Sequence, residues 1–162
     1  MRISVVTVSD RASRGEYEDL SGPALAAVLA EAYPGAEIER QTVPDDEELI
    51  LAAFGRSGDA DWIITCGGTG PAARDRTPEA SRAWIDRELP GIAEALRAAS
   101  GRETPFAAFS RGIAGMRGRQ FLVNVPGSPA AARLCAAILA PLLGHGLEMV
   151  RGGGHGEALK KP

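Results

Sequence analysis

The chain has 162 residues, which fits one domain able to bury a core without disulfide or metal staples. Its 44% hydrophobic and 24% charged residues are ordinary for a globular protein, and a net charge of −3 argues against general nucleic-acid binding. Two cysteines, Cys66 and Cys135, do not make a disulfide framework, and no leader or bilayer-length apolar run is read, so a soluble cytoplasmic protein without membrane contact is expected.

Residues 3–9, I-S-V-V-T-V-S, read as a first parallel strand. The polar stretch 10–21 carries no helical period and is longer than a minimal strand-to-helix turn needs, a property of functional loops. Ser21 can cap a helix with Pro23 in its first turn and Leu25, Val28, Leu29 and Ala32 on one face, and Pro34-Gly35 ends it. Residues 37–43 read as a second strand whose poor alternation suits a sheet edge. Asp45, with Glu48 three residues on, starts a helix with Leu49, Ile50, Ala53 and Phe54 inward, running to about Arg56.

Residues 61–66 form a third strand that runs into the glycine loop Gly67-Gly68-Thr69-Gly70. Thr77 as N-cap and Pro78 begin a helix over 78–88, and a second helix over 92–99 places Leu96 inward. Residues 104–111 read as a short helix or turn, and Gly112, Gly115 and Gly118 break the stretch after it. Residues 121–125, F-L-V-N-V, form a strand that enters Pro126-Gly127-Ser128, with Ser128 as N-cap of a last helix. That helix carries Leu134, Ile138, Leu142 and Leu147 inward, and Pro141 kinks or ends it. Strands alternating with helices give an α/β fold, a doubly wound and mostly parallel sheet with helices on both faces. Residues 1–150 form its single domain and 151–162 a mobile tail.

The carboxyl ends of parallel strands share one sheet edge, which places Asp10, Asp45 and Asp75 around one crevice. Each alone reads first as a helix cap or loop carboxylate. Together they are hard oxygen ligands of the kind Mg2+ takes beside phosphate. Helix starts near Gly22, at 70–78 and at Ser128 offer backbone N–H groups to phosphate, with Arg74 and Arg76 adding charge. The glycine loop is neither a Walker A loop nor a dinucleotide fingerprint, and taken alone it reads as a turn. Two histidines are too few for a zinc site, and no serine stands in a nucleophile elbow.

Six motifs in order, T-V-S-D-R-A-S-R-G (7–15), S-G-P (21–23), V-P-D (43–45), G-G-T-G-P-A-A-R-D-R-T-P-E-A (67–80), T-P-F-A-A-F-S-R (104–111) and N-V-P-G-S-P (124–129), resemble the MogA/MoaB family of molybdenum-cofactor biosynthesis proteins. The resemblance runs from residue 3 to about 145. It implies a doubly wound α/β fold, a homotrimer, and transfer of AMP from ATP to molybdopterin with Mg2+, releasing pyrophosphate. It implies that Asp45 and Asp75 are catalytic. We expect both to orient the metal. By the same resemblance Gly67, Gly68, Thr69 and Gly70 form the nucleotide side, and Ser9, Asp10, Ser110, Arg111, Pro126, Gly127 and Ser128 belong to the substrate pocket. A downstream molybdate-insertion protein is the implied partner. The alternative is a non-catalytic molybdopterin carrier of the MoaB-like branch, with the same pocket and no turnover of ATP.

Overall fold

The computed structural model describes residues 1–152, so the expected tail over 151–162 falls almost wholly outside the described residues. Strands β1 (Arg2–Val8), β2 (Glu37–Val43), β3 (Trp62–Cys66), β4 (Arg87–Glu88), β5 (Ala114–Arg117) and β6 (Gln120–Val125) form one sheet in the order β2-β1-β3-β6-β5-β4. The first four in that order are parallel, and β5 and β4 add antiparallel at one edge. From β1 the chain moves outward to β2 and then crosses back to β3 on the other side of β1. The order therefore reverses between β1 and β3, and a crevice opens beyond their carboxyl ends.

Helices α1 (Asp10–Ser13), α2 (Ser21–Ala32), α3 (Glu47–Arg56), α4 (Thr77–Trp84), α5 (Pro90–Glu103) and α6 (Pro129–Val150) complete the fold, with a 3-10 turn at Pro105–Phe109. Strand side chains alternate between faces. Val5, Ile64 and Val123 meet Leu25, Leu29, Leu96 and Leu139 from α2, α5 and α6 on one face. Val6, Ile63 and Leu122 meet Ile50, Ala53 and Phe54 of α3 and Ala80 of α4 on the other. Each fully buried Leu or Ile here contributes about 1.5–3 kcal/mol.

The polar centre of the sheet is Asn124. Its Nδ2 donates to Thr65 Oγ1 at 3.0 Å and to Ser81 Oγ at 2.8 Å, and its Oδ1 accepts from the Ile113 N–H at 3.1 Å. One buried amide thus joins β3, β6, α4 and the chain entering β5.

Several elements differ from expectation. Ser21 is the first residue of α2 rather than its cap. The Asp19 carboxylate accepts from the Ser21 and Gly22 N–H groups at 3.0 Å and from Thr7 Oγ1 at 2.7 Å. Asp46, not Asp45, caps α3, accepting from the Leu49 N–H at 3.1 Å, and Leu49 itself is exposed. Thr77 is the first residue of α4 and not its cap; its hydroxyl donates to the Gly67 carbonyl at 2.9 Å. The helix over 78–88 stops at Trp84, and Arg87–Glu88 turns into β4.

Pro141 does not end α6, which continues to Val150. The Tyr33 hydroxyl enters its ladder there, donating to the Ala140 carbonyl and accepting from the Gly144 N–H at 3.1 Å. The buried face of α6 is Ala132, Cys135, Ala136, Leu139, Leu143 and Leu147, and Leu142 faces out. Contrary to expectation, α6 is long and apolar enough by length and composition to cross a membrane. Its apolar face packs against α2 and the sheet. Cys66 and Cys135 are free and buried, and burial pushes both thiols up.

Candidate active site

A cleft of about 420 Å3 occupies the crevice beyond β1 and β3. Ser9, Asp45, Gly67, Gly68, Asp75, Gly127 and Ser128 line it, together with Arg11, Tyr17, Asp19 and Cys66, which the sequence reading did not single out. Asp19 has a local signal in hindsight, a carboxylate two residues before Ser21-Gly22. Arg11 and Tyr17 lie together, with the guanidinium carbon 5.0 Å from the ring centroid. Among the expected site residues, Asp10, Thr69, Gly70, Ser110, Arg111 and Pro126 do not line this cleft. Ser110 and Pro126 line a separate small hollow beside α5.

The two aspartates reach the cleft by different routes. Because Asp46 takes the cap of α3, the Asp45 carboxylate is free to turn toward β1. Its Oδ2 accepts from the Asp10 N–H at 2.8 Å, and Asp10 Oδ1 accepts from the Asp45 N–H at 3.1 Å. This reciprocal pair ties the end of β2 to the start of α1. Asp75 closes its own turn, with its Oδ2 accepting from the Ala72 N–H at 3.0 Å. Asp45 Oδ1 and Asp75 Oδ1 have no protein hydrogen bond among the described residues.

Both carboxylates lie against the glycine loop. A Cβ at Gly68 would stand 2.8 Å from Asp45 Oδ1, and one at Gly70 would stand 2.8 Å from Asp75 Oδ2. Gly68 also has φ +59, a left-handed backbone that other residues adopt at a cost. The N–H groups of Gly68, Thr69 and Gly70 have no protein acceptor among the described residues. Three successive free amides beside a cleft are suited to an anion. The Gly127-Ser128 turn packs on this loop and presents the start of α6, where Ser128 Oγ accepts from the Ala131 N–H at 3.2 Å. The start of α2 is different from expectation, because the Asp19 carboxylate already occupies its first amides and repels a phosphate there.

Asp10 is not an open third oxygen donor. Arg74 grips both its oxygens, Nη2 to Oδ1 at 2.8 Å and Nε to Oδ2 at 3.1 Å. Those hydrogen bonds hold the Asp10 carboxyl below its ordinary value, against the effect of burial. Asp45 moves the other way. Burial pushes its carboxyl up, with the charges of Asp10 and Asp75 adding to it, against the Asp10 N–H that lowers it. Arg76 is paired with Glu47 at 2.6 Å, so neither loop arginine points a free guanidinium at the cleft.

The carboxylate oxygens left free are hard donors of the type Mg2+ takes. No cluster of three or more His, Cys, Asp or Glu with ligating geometry occurs among the described residues. A divalent ion held by one or two carboxylates, with phosphate oxygens and water completing its shell, needs only the two free oxygens of Asp45 and Asp75. A positive charge there would also offset the repulsion from Asp10 and Asp75 that adds to the effect of burial on Asp45.

Behind the loop, Arg111 binds backbone. Its N–H donates to the Thr69 carbonyl at 2.8 Å, Nε to the Gly70 carbonyl at 2.7 Å and Nη2 to the Asp75 carbonyl at 2.6 Å. Its Nη1 donates to Glu79 Oε1. Burial raises the Glu79 carboxyl, but the hydrogen bond and charge of Arg111 outweigh it and the net shift is downward.

Comparison with known proteins shows the family. Residues 4–145 match the family model described as a probable molybdopterin binding domain. A curated protein of Helicobacter pylori named molybdopterin adenylyltransferase is 38% identical over 156 residues, covering 94% of this chain and 89% of its own. The Escherichia coli K12 protein of the same name is 39% identical over 133 residues, covering 80% and 68%. The crystal structure of the molybdopterin biosynthesis enzyme MoaB from Thermus thermophilus superposes with a TM-score of 0.83 at 44% identity, covering 93% of this chain and 96% of that one.

Proposed function

The chain belongs to the family of the probable molybdopterin binding domain, within molybdenum-cofactor biosynthesis, and from that premise we propose that it joins AMP from ATP to molybdopterin and releases pyrophosphate. The Helicobacter pylori and Escherichia coli relatives are named molybdopterin adenylyltransferases, which supports an enzyme of that class. The observation that carries the reading is the pair of half-free carboxylates, Asp45 and Asp75, lining one cleft with Gly67 and Gly68 of the glycine loop, whose residues 68–70 have unpaired amides.

In the step proposed, a terminal phosphate oxygen of molybdopterin attacks the α-phosphorus of ATP. The bond from that phosphorus to the bridging oxygen of the β-phosphate breaks, and pyrophosphate leaves with the electron pair. Such a transfer needs alignment and charge neutralisation more than covalent help from the protein. The Gly68, Thr69 and Gly70 amides hold phosphate oxygens, and the start of α6 at Ser128 adds a second anion-holding point. Asp45 and Asp75 would hold Mg2+ by their free oxygens. The ion, when bound, supplies positive charge to the phosphate oxygens. Asp10 acts on Asp45 by fixing its carboxylate through the reciprocal pair. A homotrimer and delivery of the product to a molybdate-inserting protein belong to the same proposal.

The test is the pterin product itself. Purified protein with ATP, Mg2+ and molybdopterin is expected to yield, by mass spectrometry, a pterin carrying one AMP. Recovery of tightly bound but unmodified molybdopterin would overturn the transferase reading in favour of a carrier.

A further inference from the structure

Arg111 stands in the segment just after the 3-10 turn at Pro105–Phe109, 36 residues beyond Asp75 in sequence. Its side chain is 37% exposed and that of Glu79 26% exposed. The guanidinium is committed to protein acceptors, namely the Gly70 and Asp75 carbonyls and both oxygens of Glu79. Its backbone N–H holds a third carbonyl, that of Thr69. The residue therefore grips the loop at Thr69-Gly70, where the free amides lie, and at Asp75.

Other contacts hold the loop as well: Arg74 grips Asp10, Arg76 pairs with Glu47, and the Thr77 hydroxyl donates to the Gly67 carbonyl. Thr77 N–H reaches the Gly68 carbonyl at 3.2 Å, and the Ala72–Asp75 turn is closed upon itself. Among the described residues, however, the Thr69 and Gly70 carbonyls accept from Arg111 alone. Arginine is the residue type this requires, because its planar fork reaches two carbonyls and a carboxylate at once, where lysine offers one compact charge. Glu79, in the first turn of α4, orients the fork and balances its charge.

We propose that Arg111, oriented by Glu79, is a positioning residue that fixes Asp75 and the Thr69-Gly70 amides for adenylyl transfer and does not itself bind substrate. The inference rests on the function proposed above and departs from the substrate-pocket role that the family resemblance implies. A displacement of about 1 Å at such a centre costs on the order of a hundredfold in rate.

The experiment compares wild type with Arg111→Ala, Arg111→Lys, Glu79→Gln and the Arg111→Ala/Glu79→Gln double variant, reading kcat, KM and amide hydrogen exchange. Arg111→Ala is expected to lower kcat about a hundredfold, with KM for molybdopterin within about threefold of wild type. Exchange should rise in peptides spanning 67–77 and stay unchanged in β1, β3 and β6. Glu79→Gln should shift both readouts the same way by a smaller factor, and the double variant should be no worse than Arg111→Ala, because the two residues act as one unit. Arg111→Lys should not restore the loop, whereas added guanidinium ion should restore part of the kcat of Arg111→Ala.

A loss confined to the molybdopterin KM would make Arg111 a substrate ligand and overturn the proposal. Unchanged exchange across 67–77 in Arg111→Ala would overturn it equally. A wild-type protein without turnover would count against the transferase reading alone. The exchange comparison would then still decide whether Arg111 orders the loop.

Discussion

Replacing Gly68 by alanine tests the glycine loop where its backbone and the Asp45 carboxylate meet. The left-handed φ of +59 costs a non-glycine residue about 1–2 kcal/mol. The new methyl group would stand 2.8 Å from Asp45 Oδ1 and closer still to Thr77 Oγ1. Thr77 is buried and cannot swing away without giving up its bond to the Gly67 carbonyl at 2.9 Å. Losing that bond costs about 1–3 kcal/mol more. The sum is a destabilisation of about 2–5 kcal/mol, read by urea denaturation with the slope m unchanged. Asp45 must also shift, so pyrophosphate release should fall about a hundredfold. Gly118→Ala is the control, since Gly118 has nearly the same backbone, φ +58, with nothing within 4 Å of the new methyl group. It should show only the backbone cost of about 1–2 kcal/mol and full turnover. Equal stability and equal activity in the two variants would refute the reasoning.

Other expectations rest on single residues. Asp45→Asn should be inactive yet more stable than wild type at pH 7, because burial raises the folded-state pKa of Asp45 and its charge opposes folding above that pKa. The advantage should vanish as pH falls below about 3.8, where Asp45 is neutral in both states, and a constant difference across denaturation curves at pH 3 to 8 would contradict it. Asn124→Leu leaves the Ile113 N–H and the Ser81 and Thr65 hydroxyls without their partner and should cost about 3–5 kcal/mol, measured in the same denaturation assay. Tyr33→Phe withdraws the hydroxyl from the α6 ladder and should cost about 1–3 kcal/mol while leaving turnover intact.

The parts of the molecule legible in the sequence are those whose signals are local. The β-branched runs of β1 and β3 and the polar, edge-like β2 are visible in the residues themselves, as is the Pro-Gly-Ser start of α6. What escaped depends on distant partners. Ala114-Gly115-Met116 reads as a broken stretch, yet it is β5, because Gly115 lets Ile85 and the Arg87 carbonyl press against the strand. Pro141 reads as a stop, yet α6 runs through it, and the Tyr33 hydroxyl, from far earlier in the chain, bridges the Ala140 carbonyl and the Gly144 N–H beside it. At the site, strand-end position alone brought Asp45 and Asp75 to one crevice. It gave no means of seeing that Arg74 would occupy Asp10, or that Asp19 would close the start of α2. The cap of α3 was displaced by one residue for a similar reason. Asp45 and Asp46 compete for one role, and the reciprocal bond with Asp10 decides between them.

The measurement that bears most directly on the central claim is pyrophosphate release from ATP by wild type and by Asp75→Asn, with Mg2+ and molybdopterin present or withheld. Release by wild type should require molybdopterin, and Asp75→Asn should nearly abolish it with the folded state preserved. Equal release by the variant, or tight molybdopterin binding by wild type with no release, would contradict that claim.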